Sequence, residues 1–320
     1  MTEREGPAAR ARLAAEALAS RGLGSPWAAV VLGSGMAGAV EIQKPRLAVG
    51  FNEIPGLPQT SVIGHPGRIT AGNVNGLELL VIEGRFHLYE QHGAEKVRLL
   101  ASLLKAVGVR ELVLTTAAGA LAPHLKVGEF VVARDYMVYP LGGGAVTLGR
   151  ALRLAVGGPA GAGPRSAREP SPDVVTERAV NPSLGSEATG SAYSPGLAAR
   201  LERACMEAGL RLQRGVLAFA AGPCYETAAE ARLLRSAGAD VVSMSAGADT
   251  LAARAQGLDV GCICCVTNSV GLWCARGADH REVLSASGAA RAGIGEALKQ
   301  YASLTAEGRS DRTGRKHFGD

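Results

Sequence analysis

The sequence predicts an α/β fold: a single domain in which a central mixed β-sheet is flanked by helices. Three observations lead there. Short apolar runs of strand length alternate with stretches of helical periodicity, the pattern of a parallel or mixed sheet covered by helices. Hydrophobic residues make up 47% of the 320 residues and charged ones 20%, enough to bury a sizeable core and to exclude disorder over the whole chain. No internal repeat appears and no linker separates two self-sufficient halves, so one domain is expected over 1–305.

Taken in order, Ala8 to Arg21 reads as a helix with Leu13 and Leu18 on an Ala-rich frame. Trp27–Leu32 is a short apolar strand that ends in Gly33-Ser34-Gly35. Further strands are expected at Arg46–Phe51, Arg68–Val74, Leu77–Ile82, Glu111–Thr116, Glu129–Ala133, Val216–Ala220, Asp240–Ser243 and Leu258–Val266. Ala94–Val107 is the clearest helix, with Val97, Leu100, Leu104 and Val107 at helical spacing. Pro195–Ala208, Thr227–Ala237, Ala248–Ala255 and His280–Leu304 complete the helical set. Residues 140–192 are rich in Gly and Pro and carry no aromatic, which reads as an insertion or lid. Residues 306–320 read as a polar, flexible tail.

Composition narrows the function classes. No apolar run approaches the ~20 residues of a membrane span, and the N-terminal stretch lacks the apolar core of a signal peptide. A cytoplasmic protein without a membrane partner is expected. The net charge of +5 favours anions. No Lys/Arg stripe interleaved with aromatics appears, so nucleic acid is not an expected partner. Six Cys are present. Cys262, Cys264 and Cys265 lie in the apolar run LDVGCICCVTN and read as small hydrophobes of a buried strand, and no metal site is expected.

Gly33–Gly38 spells GxGxxG directly after a strand, and Glu53 follows at about the spacing of a ribose-binding acid. The same turn can instead be an anion cradle, in which backbone N–H groups and the Ser34 hydroxyl face a phosphate. Arg85 and His87 stand two apart in an extended segment. There they can converge on one anion, Arg through its planar fork of donors and His through one more. Thr115–Gly119 adds a further small-residue segment to the same set.

Together these segments resemble the trimeric purine nucleoside phosphorylases of the nucleoside phosphorylase superfamily. The resemblance runs from about Val30 to Ala290, leaving out most of 140–192. It rests on GSG at 33–35, GHPGR at 64–68, GRFHLYE at 84–90, TAAG at 116–119, AGPCYET at 221–227, SMS at 243–245, TN at 267–268 and DHREVL at 279–284. It implies a phosphate site of Ser34, Arg85, His87, Ala117 through its backbone and Ser245, with His65 as a nearby gate. Tyr89, Met244 and His280 would line the sugar, and Tyr225, Glu226 and Asn268 would meet the purine. Asn268, Glu226, His87 and His280 would carry the catalytic roles. The implied reaction is phosphate-dependent cleavage of the N-glycosidic bond of purine (deoxy)ribonucleosides, inosine and guanosine preferred, giving the free base and (deoxy)ribose 1-phosphate. The implied assembly is a homotrimer. Inorganic phosphate is the co-substrate, and no metal or organic cofactor is expected.

These residue types suit that chemistry. Phosphorolysis passes through an oxocarbenium-like sugar, so the protein must hold the dianion near the developing cation and stabilise the departing base. Asn268 can donate to purine N7, and an ionised Glu226 can accept from N1–H, a donor that adenine lacks. Each residue also has a plainer reading. Glu226 can be a helix-start carboxylate, Asn268 a turn residue, His280 a helix-start residue and Met244 a core filler. Departures from the family pattern gather at 243–249, where Ser243 replaces a Gly, Ala246 a Thr, Ala248 a Pro and Asp249 a Glu. Thr116 stands where an Asn is usual, and Ser269 where several relatives have Lys. Two other readings therefore remain: a repurposed or inactive paralogue that binds nucleosides, and an NAD-dependent oxidoreductase built on 33–38.

Overall fold

The computed structural model describes residues 6–42, 44–62, 64–91, 93–139, 191–270 and 280–314. Most of the insertion expected at 140–192, and the tail beyond Gly314, lie outside the described residues.

The all-buried AAVVL of β1 (Ala28–Leu32) sits at the centre of the sheet because it pairs in parallel on both sides. One neighbour is β4 (Leu77–Glu83) and the other β5 (Glu111–Ala120). Buried on both faces, such strands read as continuous apolar runs. β3 (Arg68–Val74) forms an antiparallel hairpin with β4 through Asn75-Gly76, and β2 (Leu47–Gly50) adds to its far edge. On the other flank lie β6 (Phe130–Tyr139), β7 (Leu212–Ala220), β8 (Val241–Ser243) and β9 (Asp259–Ser269). The order is β2-β3-β4-β1-β5-β8-β7-β6-β9, and β9 returns to pair in parallel along β5. The last five strands thus close into a ring.

Helices cover both faces, giving the expected α/β layering. α1 (Pro7–Ser20), α2 (Gly93–Ala106) and α5 (Ala246–Ala255) pack with one face of the sheet around Leu18, Leu100, Leu114 and Leu251. α3 (Pro195–Glu207) and α6 (His280–Gly314) pack on the other around Val30, Leu201, Ile263 and Leu298. α4 (Ala228–Ser236) buries Ala231 and Leu234 against β7 and β8. Cys262, Cys264 and Cys265 are buried free thiols, as the apolar run at 258–266 predicts, and Cys205 of α3 is another. Among the described residues no helix is long and apolar enough to cross a membrane.

Several strands run further than their local pattern indicates. β5 reaches Ala120 rather than Thr116, β6 reaches Tyr139, β7 starts at Leu212 and β9 reaches Ser269. All four belong to the closed ring, where a paired neighbouring strand holds Gly, Ala and polar residues extended despite weak strand preference. α6 likewise continues through Gly314 instead of ending at Leu304, so the start of the segment read as a tail is helical. The Arg309 guanidinium covers the Trp27 ring at 4.0 Å, tying this last stretch to β1.

Candidate active site

The ends of β1, β4, β5 and β9 that follow their parallel strands meet at one edge of the sheet, where ligands of open α/β sheets bind. Into the same place run the turn from β8 to α5 and the segment between β7 and α4. The resulting cavity is lined by Ser34, His87, Tyr89, Ala117, Tyr225, Glu226, Met244, Ser245 and Asn268, among others. Nine of the residues expected at the site are therefore gathered from six segments of the chain. His65 stands just behind, its Nε2 3.2 Å from the Ser34 hydroxyl. His280 begins α6, but its side chain lies outside the described residues.

Gly33–Gly38 is not a dinucleotide fingerprint. That motif must open a helix, yet here the turn leads through further turns to β2. Gly33 is glycine because a Cβ would lie 2.7 Å from the Thr115 carbonyl oxygen of β5. Glu53 caps the end of β2 instead, accepting from the Gly50 N–H at 2.8 Å. The oxidoreductase reading loses its structural context.

Arg85 departs from the simple expectation. It is 1% exposed and does not line the cavity, but lies behind the wall. One terminal nitrogen donates to the Ser245 hydroxyl at 3.1 Å and lies 3.3 Å from the Asp249 carboxylate. The other donates to the Thr115 carbonyl. Burial pushes the Asp249 carboxyl up to about 6, with Arg85 pulling the other way.

His87 does line the cavity, stacked at 4.9 Å on the Tyr89 ring and oriented by Glu90. Glu90 Oε1 accepts from the His87 backbone N–H at 2.7 Å and lies 3.2 Å from Nδ1. A carboxylate can only accept, which assigns the ring proton to Nδ1. Burial alone would raise Glu90. Hydrogen bonds from the His87 ring, the Ser61 hydroxyl at 2.5 Å and the His87 N–H outweigh it and hold the carboxyl at about 2. Glu90 thus contributes stability above its ordinary value of 4.5, which is lost as pH falls toward 2. Glu90→Gln is expected to be less stable than the parent at pH 6, with the gap narrowing through that window. Urea midpoints across the range check it, and a pH-independent gap would count against this reading.

The cavity wall at Asn268 is built by a bulge. The β5–β9 register steps from Ala118–Val266 to Gly119–Asn268, skipping Thr267 and re-aiming Asn268 into the cavity. The Thr267 hydroxyl donates to Asn268 Oδ1 at 2.9 Å, which fixes the amide orientation and leaves Nδ2 as its donor end. Gly119 leaves room, since a Cβ there would meet Val270 at 2.3 Å and Asn268 Nδ2 at 3.3 Å. Glu226 is not needed as a helix cap. Thr227 and Glu230 form the capping box of α4, with Glu230 accepting from the Thr227 N–H at 2.7 Å. Burial raises the Glu226 carboxyl above its usual range. Burial, then Glu90 and Tyr225, push the Tyr89 phenol up to about 12 and keep it a donor.

Sequence reasoning gave no role to Glu90 or Thr267. The Glu three residues after His87 in GRFHLYE was the available signal for the first; the second depends on the bulge. Cavity size does not single out this site. A cavity of about 760 Å³ lies near Trp27, Arg200 and Arg309, but its buried Glu111 is already taken by Arg200 and by the Tyr301 hydroxyl at 2.7 Å.

Comparison with known proteins agrees with this geometry. The profile of the phosphorylase superfamily matches residues 28–303. Purine nucleoside phosphorylase of Rattus norvegicus is 34% identical over 298 residues, covering 92% of each chain. That of Mycobacterium tuberculosis is 33% identical over 299 residues, covering 92% of this chain and 96% of its own. Among solved structures, the Schistosoma purine nucleoside phosphorylase in complex with hypoxanthine superposes with a TM-score of 0.73 at 26% identity, covering 92% of this chain and 96% of that one. Its complex with guanosine gives 0.72 at 28% identity over the same shares. A match of this extent, on a sheet that gathers the family's dispersed motifs around one cavity, means that the chain belongs to the phosphorylase superfamily, among its purine nucleoside phosphorylases.

Proposed function

We propose that this protein cleaves purine nucleosides with inorganic phosphate, releasing the free base and a pentose 1-phosphate. The observation that carries this reading is one cavity that gathers two chemically distinct sets of side chains. The Ser34 and Ser245 hydroxyls are donors for an anion, joined by His87 when it is an imidazolium with a proton on each ring nitrogen; Glu226 and Asn268 form an acceptor–donor pair for a purine edge. Ser245 is also the N-cap of α5, so the positive end of that helix dipole faces the same place.

Catalysis in this reading is electrostatic placement. The phosphate sits beside C1′ as the glycosidic bond breaks, and Asn268 Nδ2 donates to N7 as negative charge develops on the base. The N1–H and 2-amino donors of a 6-oxopurine supply the partners that burial withholds from Glu226. Tyr89 and Met244 border the sugar between these two sets. Arg85 sets the potential of the anion end from behind the wall, with His65 beside Ser34. Assembly as a homotrimer is part of the same proposal, and its mass is read by light scattering.

Base release from inosine, guanosine and adenosine, each with and without phosphate, tests the function. Phosphate-dependent release from the two 6-oxopurine nucleosides is expected, with adenosine slow. Binding of inosine without release from any of the three would overturn the reading in favour of a nucleoside-binding paralogue.

A further inference from the structure

Two of the positions at which this chain departs from the family pattern, Thr116 and Ser243, touch each other. Their hydroxyl oxygens are 2.8 Å apart, although 127 residues separate them. Thr116 Oγ1 is also 3.5 Å from Ser245 Oγ, the oxygen that accepts from buried Arg85. Asp249, a third departure, lies 3.3 Å from the same guanidinium nitrogen. The changes are thus contiguous, running from Ser243 in the cavity wall through Thr116 and Ser245 to Arg85 and Asp249. Thr116 is 2% exposed, Ser243 6% and Ser245 7%, so water does not compete for most of this run.

Resting on the phosphate reading above, we propose that Ser243 and Thr116 are positioning residues for the anion, forming a hydroxyl relay that aims the Ser245 O–H into the cavity. A hydroxyl has one proton and two acceptor sites. Arg85 fills one acceptor site of Ser245, and Thr116 fills the other when its proton turns from the Ala117 carbonyl, 3.1 Å away, to Ser245. Ser243 donates to Thr116 and completes the chain. Ser245 is left with its own proton and only the cavity to donate it to. An anion there aligns the hydroxyls head to tail, and each polarised hydroxyl strengthens the next. Thr116 and Ser243 touch neither C1′ nor the base edge in this arrangement, so their contribution belongs to phosphate binding.

The test is a double-mutant cycle on the full chain, Thr116→Val, Ser243→Ala and both together. It is read by steady-state kinetics and by calorimetric titration of inorganic phosphate in the absence of nucleoside. Each single change is expected to weaken phosphate binding about five-fold, the weight of one hydrogen bond. The double variant is expected to be no worse than either single, because both break the same relay. KM for inosine, and kcat at saturating phosphate, should stay within about two-fold of the parent. Thr116→Ser, which keeps the hydroxyl, should restore affinity. Additive losses, an effect confined to inosine KM or kcat, or unchanged phosphate affinity would each overturn the relay. Because the titration needs no turnover, it distinguishes failure of the relay from failure of the phosphorylase reading, which base release alone decides.

Discussion

Asn268→Ala is expected to lower kcat/KM for inosine by about 100- to 1000-fold, the usual loss when one aligned donor to a developing negative charge is removed. The amide is aimed by the Thr267 hydroxyl at 2.9 Å, so its Nδ2 is oriented before the base arrives. The fall should appear in kcat, because N7 gains its charge only as the glycosidic bond breaks. KM for phosphate should not follow, since the proposed anion site of Ser34, His87 and Ser245 uses other side chains of the cavity. Asn268→Asp is the companion measurement. A carboxyl group here can accept from the 6-amino group of adenine, so the adenosine-to-inosine rate ratio should rise. No gain for adenosine, or a parallel loss in phosphate affinity, would remove Asn268 from the base edge.

Arg85→Ala should have the second large effect, on two quantities at once. Its guanidinium is 1% exposed and faces an Asp249 carboxylate that is 6% exposed. Removing one partner of a buried pair leaves an uncompensated charge, at a cost of about 3–5 kcal/mol of stability. The phosphate requirement should also rise sharply, because the cation behind Ser245 is gone. These effects separate in Arg85→Ala/Asp249→Ala, which should recover part of the stability and none of the phosphate affinity. The pH dependence has a definite sign. Burial already lifts the Asp249 carboxyl above its ordinary 3.8, and loss of Arg85 lifts it further. A carboxyl raised in the folded state binds protons there first, so the variant loses stability as pH rises through that window. Its deficit against the parent should therefore shrink at acid pH, which thermal melts at pH 4.5 and 7 would show. Unchanged phosphate dependence would sink the role of Arg85 at the anion end.

Much of the site was legible because its residues carry chemistry in their types. GRFHLYE, AGPCYET and the Ser-Met-Ser at 243–245 supply His87, Tyr89, Tyr225, Glu226, Met244 and Ser245, and the cavity gathers them all. Arg85 was misjudged by a local rule. Residues two apart in an extended segment share a face, but the chain leaves β4 at Gly84 with φ +136°, and Arg85 turns inward while His87 lines the cavity. Glu90 was passed over because a carboxylate in sequence gives no sign of the hydrogen bonds that hold it near 2.

The alternation of strands and helices, the apolar centre of the sheet and the residue types of the site can all be read along the chain. These follow from periodicity and side-chain chemistry, which act within a few residues of one another. The folded molecule adds that β9 returns to β5 and closes the ring, that a bulge at Thr267 aims Asn268, and that Thr116, Ser243, Arg85 and Asp249 form one buried network. Each of these depends on contacts between segments more than a hundred residues apart in the chain. Such contacts are set by how the sheet folds back on itself, and no local pattern in the sequence encodes that.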